Sequence, residues 1–179
     1  MNQKTRDEIA LSIKDFSLPR YCEIPNVGLY LEQVVKYVSE YLAPLGNFSL
    51  TGSMISNYVK KKLVANPVKK QYYREQIAYL IFIAAAKSVL SMEDIRLLFD
   101  LQKNSYPPQV AYDYFCSELE NVLGYVFGIK PELETVGEDN SQTKELLRSA
   151  IITVAHKVYL EKHLAALRRE KELSLPENS

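Results

Sequence analysis

Apolar residues recur at three- and four-residue spacing through most of this chain, and stretches with the two-residue alternation of a strand are nearly absent. That pattern confines the chain to helices packed on helices, an all-α fold. Leu31, Val34, Val35, Val38 and Leu42 form one stripe, which predicts a helix over 29–42 that Pro44 and Gly46 end. A shorter helix is expected over 6–16, followed by an extended connector, LPRYCEIPNVG. The next helix runs from Thr51 or Gly52 to Lys62, with Thr51 or Ser53 as its N-cap, and Asn66-Pro67 forbids its continuation. Val68 to Tyr73 fits a small extended wing. From Glu75 to Lys87 the apolar residues lie almost all round, so that helix should be buried. Ser91-Met92-Glu93-Asp94 is a capping-box pattern opening a helix over 92–101. Two more helices are expected, over 109–128 and about 143–171, joined by an acidic, turn-rich hinge at 131–142. The last would be roughly 40 Å long.

Charge is balanced overall, 22 basic against 22 acidic side chains, but it is not spread evenly. Residues 51–74 hold six basic and no acidic groups, a local charge of +6. Residues 91–145 hold four basic and eleven acidic groups, 4 − 11 = −7. Opposite-sign segments imply separate surfaces with separate roles. No CxxC-type pair exists, since Cys22 and Cys116 stand far apart, and reduced thiols are the expectation. The N-terminus lacks the apolar core of a signal peptide, and the longest apolar run, Ala78 to Ala86, is about half a membrane span. A cytoplasmic protein with no membrane contact is expected.

On a helical wheel, Met54, Ile55, Tyr58 and Val59 share one arc about 140° wide, which would face the core. Ser53, Ser56, Asn57 and Lys60 fall opposite, with Lys61 at the flank. Hydroxyls and an amide can hydrogen-bond base edges or phosphates, and lysine pairs with phosphate, so this face suits a DNA groove. Downstream, Lys69, Lys70, Tyr72 and Arg74 supply a basic, aromatic loop to grip the adjacent backbone. The competing reading is a solvated helix whose C-terminal lysines complement its dipole, but Lys69, Lys70 and Arg74 serve no such purpose.

The order MISNYVKKKLV, a proline, KKQYY, QIAYLIFI and VLSMEDIRLLF resembles the winged helix-turn-helix of MerR-type regulators. Ile55, Tyr58, Leu63-Val64, Pro67, Lys70, Tyr72, Ile77, Leu80, Ile83 and Ser91 to Ile95 occupy the family's positions. The resemblance implies that helix 53–62 enters the major groove of double-stranded DNA while a short wing, 66–74, holds phosphate. Three features depart from it. Ser56 stands where the family has a phosphate-contacting arginine, Lys62 where a glycine closes the recognition helix, and the wing is short. LPRYCEIP, LYLEQVVKYV, LTGSMISNYVKK and PVKKQYYREQIAYL are together similar to an uncharacterised bacterial family, over about residues 18–100. That family carries a domain of unknown function described as having a MerR-like DNA-binding region.

The resulting organisation is an N-terminal helix and connector (1–28), a winged helix-turn-helix region (29–105) and a helical dimerisation or effector region (106–179). The function expected is DNA-binding transcriptional regulation, against the alternative of a helical protein-interaction module that keeps the fold without binding DNA. No catalytic motif, metal set or cofactor loop is present: the chain lacks GxSxG, HExxH and a phosphate-binding glycine loop. His156 and His163, seven apart, read as surface or packing residues, and Glu93-Asp94, Glu118 and Glu120 as solvated or capping carboxylates. The stripes Ala111, Phe115, Leu119, Val122, Val126 and Leu147, Ile151, Val154, Val158 could equally pack on each other or form a homodimer. Tyr112, Tyr114 and Tyr125 could line an effector pocket, with no small-molecule effector identifiable.

Overall fold

The segment with apolar residues all round sets the centre of the fold. In a computed structural model describing residues 3–174, it forms a helix whose Ile77, Leu80, Ile81, Ile83, Ala84 and Ala85 are completely buried. In chain order the elements are α1 (Gln3–Lys14), a 3-10 turn (Tyr21–Glu23), β1 (Leu29–Tyr30), α2 (Leu31–Leu42) and a second 3-10 turn (Ala43–Leu45). They continue with α3 (Gly52–Lys60), β2 (Gln71–Tyr72), the central α4 (Arg74–Ala86), α5 (Met92–Ser105), α6 (Pro108–Val126) and α7 (Gln142–Ser174). The fold is all-α apart from one two-stranded ribbon. α2, α6 and α7 pack around α4, and the buried side chains form one continuous core from Ile13 to Val158.

Several expected boundaries move, each for a local reason. Leu29 and Tyr30 are not the start of a helix: they pair antiparallel with β2, Leu29 opposite Tyr72 and Tyr30 opposite Gln71. A wing strand needs an extended partner for its backbone groups, and the two residues ahead of α2 provide it. Gly28 makes the approach possible, because a Cβ there would lie 2.7 Å from the Gln71 Cβ. α5 extends to Ser105. α7 reaches 33 residues, roughly 50 Å.

The apolar stripes of the C-terminal half close on each other. Phe115, Leu119 and Val122 on α6, and Ile151, Val154 and Val158 on α7, are all buried within the single chain. Intramolecular packing therefore uses the stripes that could have served a dimer. The loop read as a hinge is anchored at several points. Asn121 Nδ2 donates to the Glu134 carbonyl at 2.7 Å, and Lys144 Nζ donates to the carbonyls of Gly137 and Asp139 at 2.9 and 2.7 Å.

Two carboxylates expected in solvent are structural instead. Glu118 is fully buried and accepts from Arg148 Nε on α7 at 2.8 Å. Glu120 takes both guanidinium nitrogens of Arg20, at 2.7 and 2.6 Å, and the Leu18 N–H at 2.9 Å, tying the connector to α6. These partners come from distant segments, which sequence spacing cannot reveal. His156 is exposed, and His163 packs its ring on Tyr159 with centroids 3.9 Å apart. Burial pushes the free Cys116 thiol up to about 12. Among the described residues no helix is long and apolar enough to cross a membrane, and no group of three or more His, Cys, Asp or Glu side chains could hold a metal ion.

Candidate nucleic-acid interface

α3 forms where the wheel put it. Thr51 is its N-cap, its hydroxyl accepting from the Met54 N–H at 3.3 Å. Ile55 and Tyr58 are buried, Met54 and Val59 half-buried, and the helix packs on α2. Ser53, Ser56, Asn57 and Lys60 are exposed on the far side. The Ser56 hydroxyl donates back to the Gly52 carbonyl at 2.9 Å, and Ser53 Oγ lies 3.0 Å from Thr51 Oγ1. Asn57 makes no side-chain hydrogen bond among the described residues, so its amide is free.

The helix ends at Lys60, two residues short of expectation, and the manner of its ending explains why. The Lys62 N–H donates to the Val59 carbonyl and the Leu63 N–H to the Tyr58 carbonyl, both at 2.9 Å. This is a Schellman closure, and it needs a left-handed residue at its pivot. Lys62 fills that place with φ +57°. Leu63 and Tyr58 are both buried, so the apolar contact that accompanies such closures is present. Lys61, the C-cap, remains exposed.

The wing is a tight hairpin. Val68 and Gln71 exchange backbone hydrogen bonds at 3.0 and 2.9 Å around Lys69 and Lys70. Both central residues have positive φ, 49° and 65°, as a type I′ turn demands; such turns favour Asn-Gly. Lys62, Lys69 and Lys70 are the positive-φ non-glycine residues among the described residues. An L side chain in that region costs about 1–2 kcal/mol, so three strained positions within nine residues all carry lysine. Lys60, Lys61, Lys62, Lys69 and Lys70 are all exposed, and none forms an ion pair among the described residues.

Two residues assigned to this surface face elsewhere. Tyr72 is a core residue, 5% exposed, because β2 alternates and its inward position follows half-buried Gln71; Tyr73 points out instead. Arg74 is committed to the connector. Its Nε donates to the Ile24 carbonyl at 2.8 Å, one terminal nitrogen donates to the Cys22 carbonyl at 3.0 Å, and the guanidinium lies over the Tyr21 ring. It begins α4 beside the 3-10 turn, and two of its donors are committed to the fold there.

Neighbouring helices hold the surface at both ends. Lys87, after α4, donates to the Ser49 carbonyl ahead of α3, and contacts Met54 Sδ at 3.3 Å. Burial lowers its pKa from the ordinary lysine value. Arg96 on α5 donates to the Lys61 carbonyl at the other end. Gln76 donates to the Ala65 and Asn66 carbonyls at 2.9 and 3.1 Å, fixing the segment that leads into the hairpin. Arg96 thus adds a sixth exposed cation beside α3. Linear counting assigned it to the acidic segment, although the Ser91 cap and buried Ile95 already set its outward phase.

The arrangement offers a row of free cations around a short helix with a small polar face. No curated protein and no solved structure matches the chain. A family match covers residues 19–115, from the connector to the middle of α6, under the description "Domain of unknown function (DUF1836)". Since that match takes in more than half of the chain, with α3 and the hairpin at its centre, the chain belongs to the DUF1836 family.

Proposed function

We propose that the protein is a DNA-binding transcriptional regulator built on a MerR-like winged helix-turn-helix, acting on double-stranded DNA. In this reading α2 and α3 are the helix-turn-helix, α3 enters the major groove, and the Lys69–Lys70 hairpin rests on phosphate. The observation that carries it is the trio of strained lysines. Glycine or asparagine would relieve strain at Lys62, Lys69 and Lys70, yet each place carries an exposed cation beside α3. Strain retained at such positions points to function rather than stability. Asn57, with a free amide between Ser56 and Lys60, is the side chain suited to a base edge.

Paired half-sites about 34 Å apart require two recognition helices, hence a homodimer. Leu160, Leu164 and Leu167 supply a surface for it: they are exposed at i, i+4 and i+7 on α7, beyond the part buried against α6. The experiment is to cross-link the native protein in its cells, recover bound DNA and sequence it. Discrete enriched sites support the reading, and enrichment no different from a mock recovery overturns it.

One observation favours a helical interaction module without DNA binding. Ser56 replaces the arginine of the resembled family, and Tyr72 and Arg74 are spent on the fold. On that reading the lysines would instead meet an acidic protein surface, and no enriched sites would appear.

A further inference from the structure

Between α4, α5, α6 and the first turns of α7 lies a cavity of about 400 Å³, within the range of small-molecule sites. Its walls are aromatic: Tyr79 and Phe82 from α4, Phe99 from α5, Tyr114 and Phe115 from α6, and Tyr106 at the α5–α6 junction. Phe82 lies edge-on to Phe115 at 5.1 Å, and Tyr79 edge-on to Phe99 at 4.7 Å, so the rings brace one another.

The charged groups around this cavity have one dominant sign. Glu75, Asp113, Glu138 and Asp139 face a single cation, Lys144, giving 1 − 4 = −3. Lys144 is already spent on the Gly137 and Asp139 carbonyls and lies 5.5 Å over the Tyr114 ring. Asp113 accepts from the Tyr21 N–H, and Asp139 accepts from Ser141 and Tyr106. Glu75 and Glu138 are exposed and make no hydrogen bond or ion pair among the described residues. Of the polar groups inside, Gln102 is paired, accepting from Tyr79 and donating to the Tyr106 carbonyl, while the hydroxyls of Tyr112 and Tyr114 are buried without a hydrogen-bond partner.

An aromatic cavity with two free carboxylates and no free cation repels anions, nucleotides among them. Ring faces and carboxylates both attract a cation that is weakly hydrated. We propose that this cavity binds a lipophilic organic monocation, an aryl or alkyl ammonium or phosphonium. The site stands independently of the DNA-binding reading, and its test contains no DNA.

The probes are tetraphenylphosphonium and tetraphenylborate, which match in shape and differ in sign, titrated calorimetrically into the full chain. Saturable phosphonium binding at one site per chain, at least tenfold tighter than borate, is expected. Glu75→Gln with Glu138→Gln should keep the melting temperature and weaken phosphonium about fivefold, as neutralising two partly solvated carboxylates does. Ala111→Trp, which fills the cavity from its wall, should abolish binding. Equal affinity for the two ions, no saturable phosphonium binding, or phosphonium binding unaltered in either variant would overturn the proposal.

Discussion

The Leu63 N–H reaches the Tyr58 carbonyl at 2.9 Å, and the residue between strand-bound and helical chain that makes this turn possible is Lys62, at φ +57°. A glycine would make the same turn without strain. Lys62→Gly should therefore stabilise the fold by about 1 kcal/mol, the relief of a left-handed L residue less the entropy glycine loses. If Lys62 also meets phosphate, the same variant should bind DNA more weakly, with its salt slope reduced by about one. Chemical denaturation and a salt titration check the two halves. A loss of stability would mean that Lys62 makes contacts its exposure does not suggest.

The hairpin makes the parallel case. Lys69→Asn with Lys70→Gly installs the pair that a type I′ turn prefers, and the midpoint of thermal unfolding should rise. Binding to enriched and scrambled duplexes should weaken alike, because phosphate contacts carry no sequence information. Selective loss on one sequence would assign the turn to base readout.

Arg74 is expected to behave oppositely to those lysines. Removing its donors by Arg74→Met strands the carbonyl of buried Ile24 and should cost about 1–3 kcal/mol. The salt slope of any DNA binding should not change. A flattened slope at undiminished stability would return Arg74 to the interface.

Assembly is tested on α7. Removing 143–179 would delete buried Ile151, Val154, Ala155 and Val158, so the change to make is Leu160→Ser, Leu164→Ser and Leu167→Ser. A dimer by light scattering that becomes a folded monomer supports the leucine surface. A dimer that persists moves the interface elsewhere.

How much of this was legible beforehand depended on the range of the interaction. The phase of α3 and the Ser91–Asp94 cap are set within one turn, and spacing alone gave their places, while it narrowed the α3 cap to Thr51 or Ser53, of which Thr51 serves. The glycine-like position of Lys62 was also visible, as an oddity against the resembled family. Glu118, Arg74 and Tyr72 were misread because their partners lie 30 or more positions away, or because a two-residue strand has too little alternation to show which side faces in. Arg96 was overlooked for the converse reason. Summing charge along the chain hides a cation that folding sets beside a helix 35 positions earlier.

The central claim is that the exposed lysines neutralise phosphate while Asn57 reads a base. It is tested most directly by measuring affinity against salt for wild type, Lys60→Gln/Lys70→Gln and Asn57→Ala, on enriched and scrambled duplexes. Log affinity of the wild type should fall with log salt at up to about 4–5 per protomer, from five lysines at roughly 0.9 each. The double lysine variant should lose about two from that slope and weaken equally on both duplexes, with unchanged stability. Asn57→Ala should keep the slope and lose preference for the enriched duplex. If wild type binds either duplex no better than a generic acidic polymer of equal charge, the lysines are a solvated face and the protein does not act on DNA.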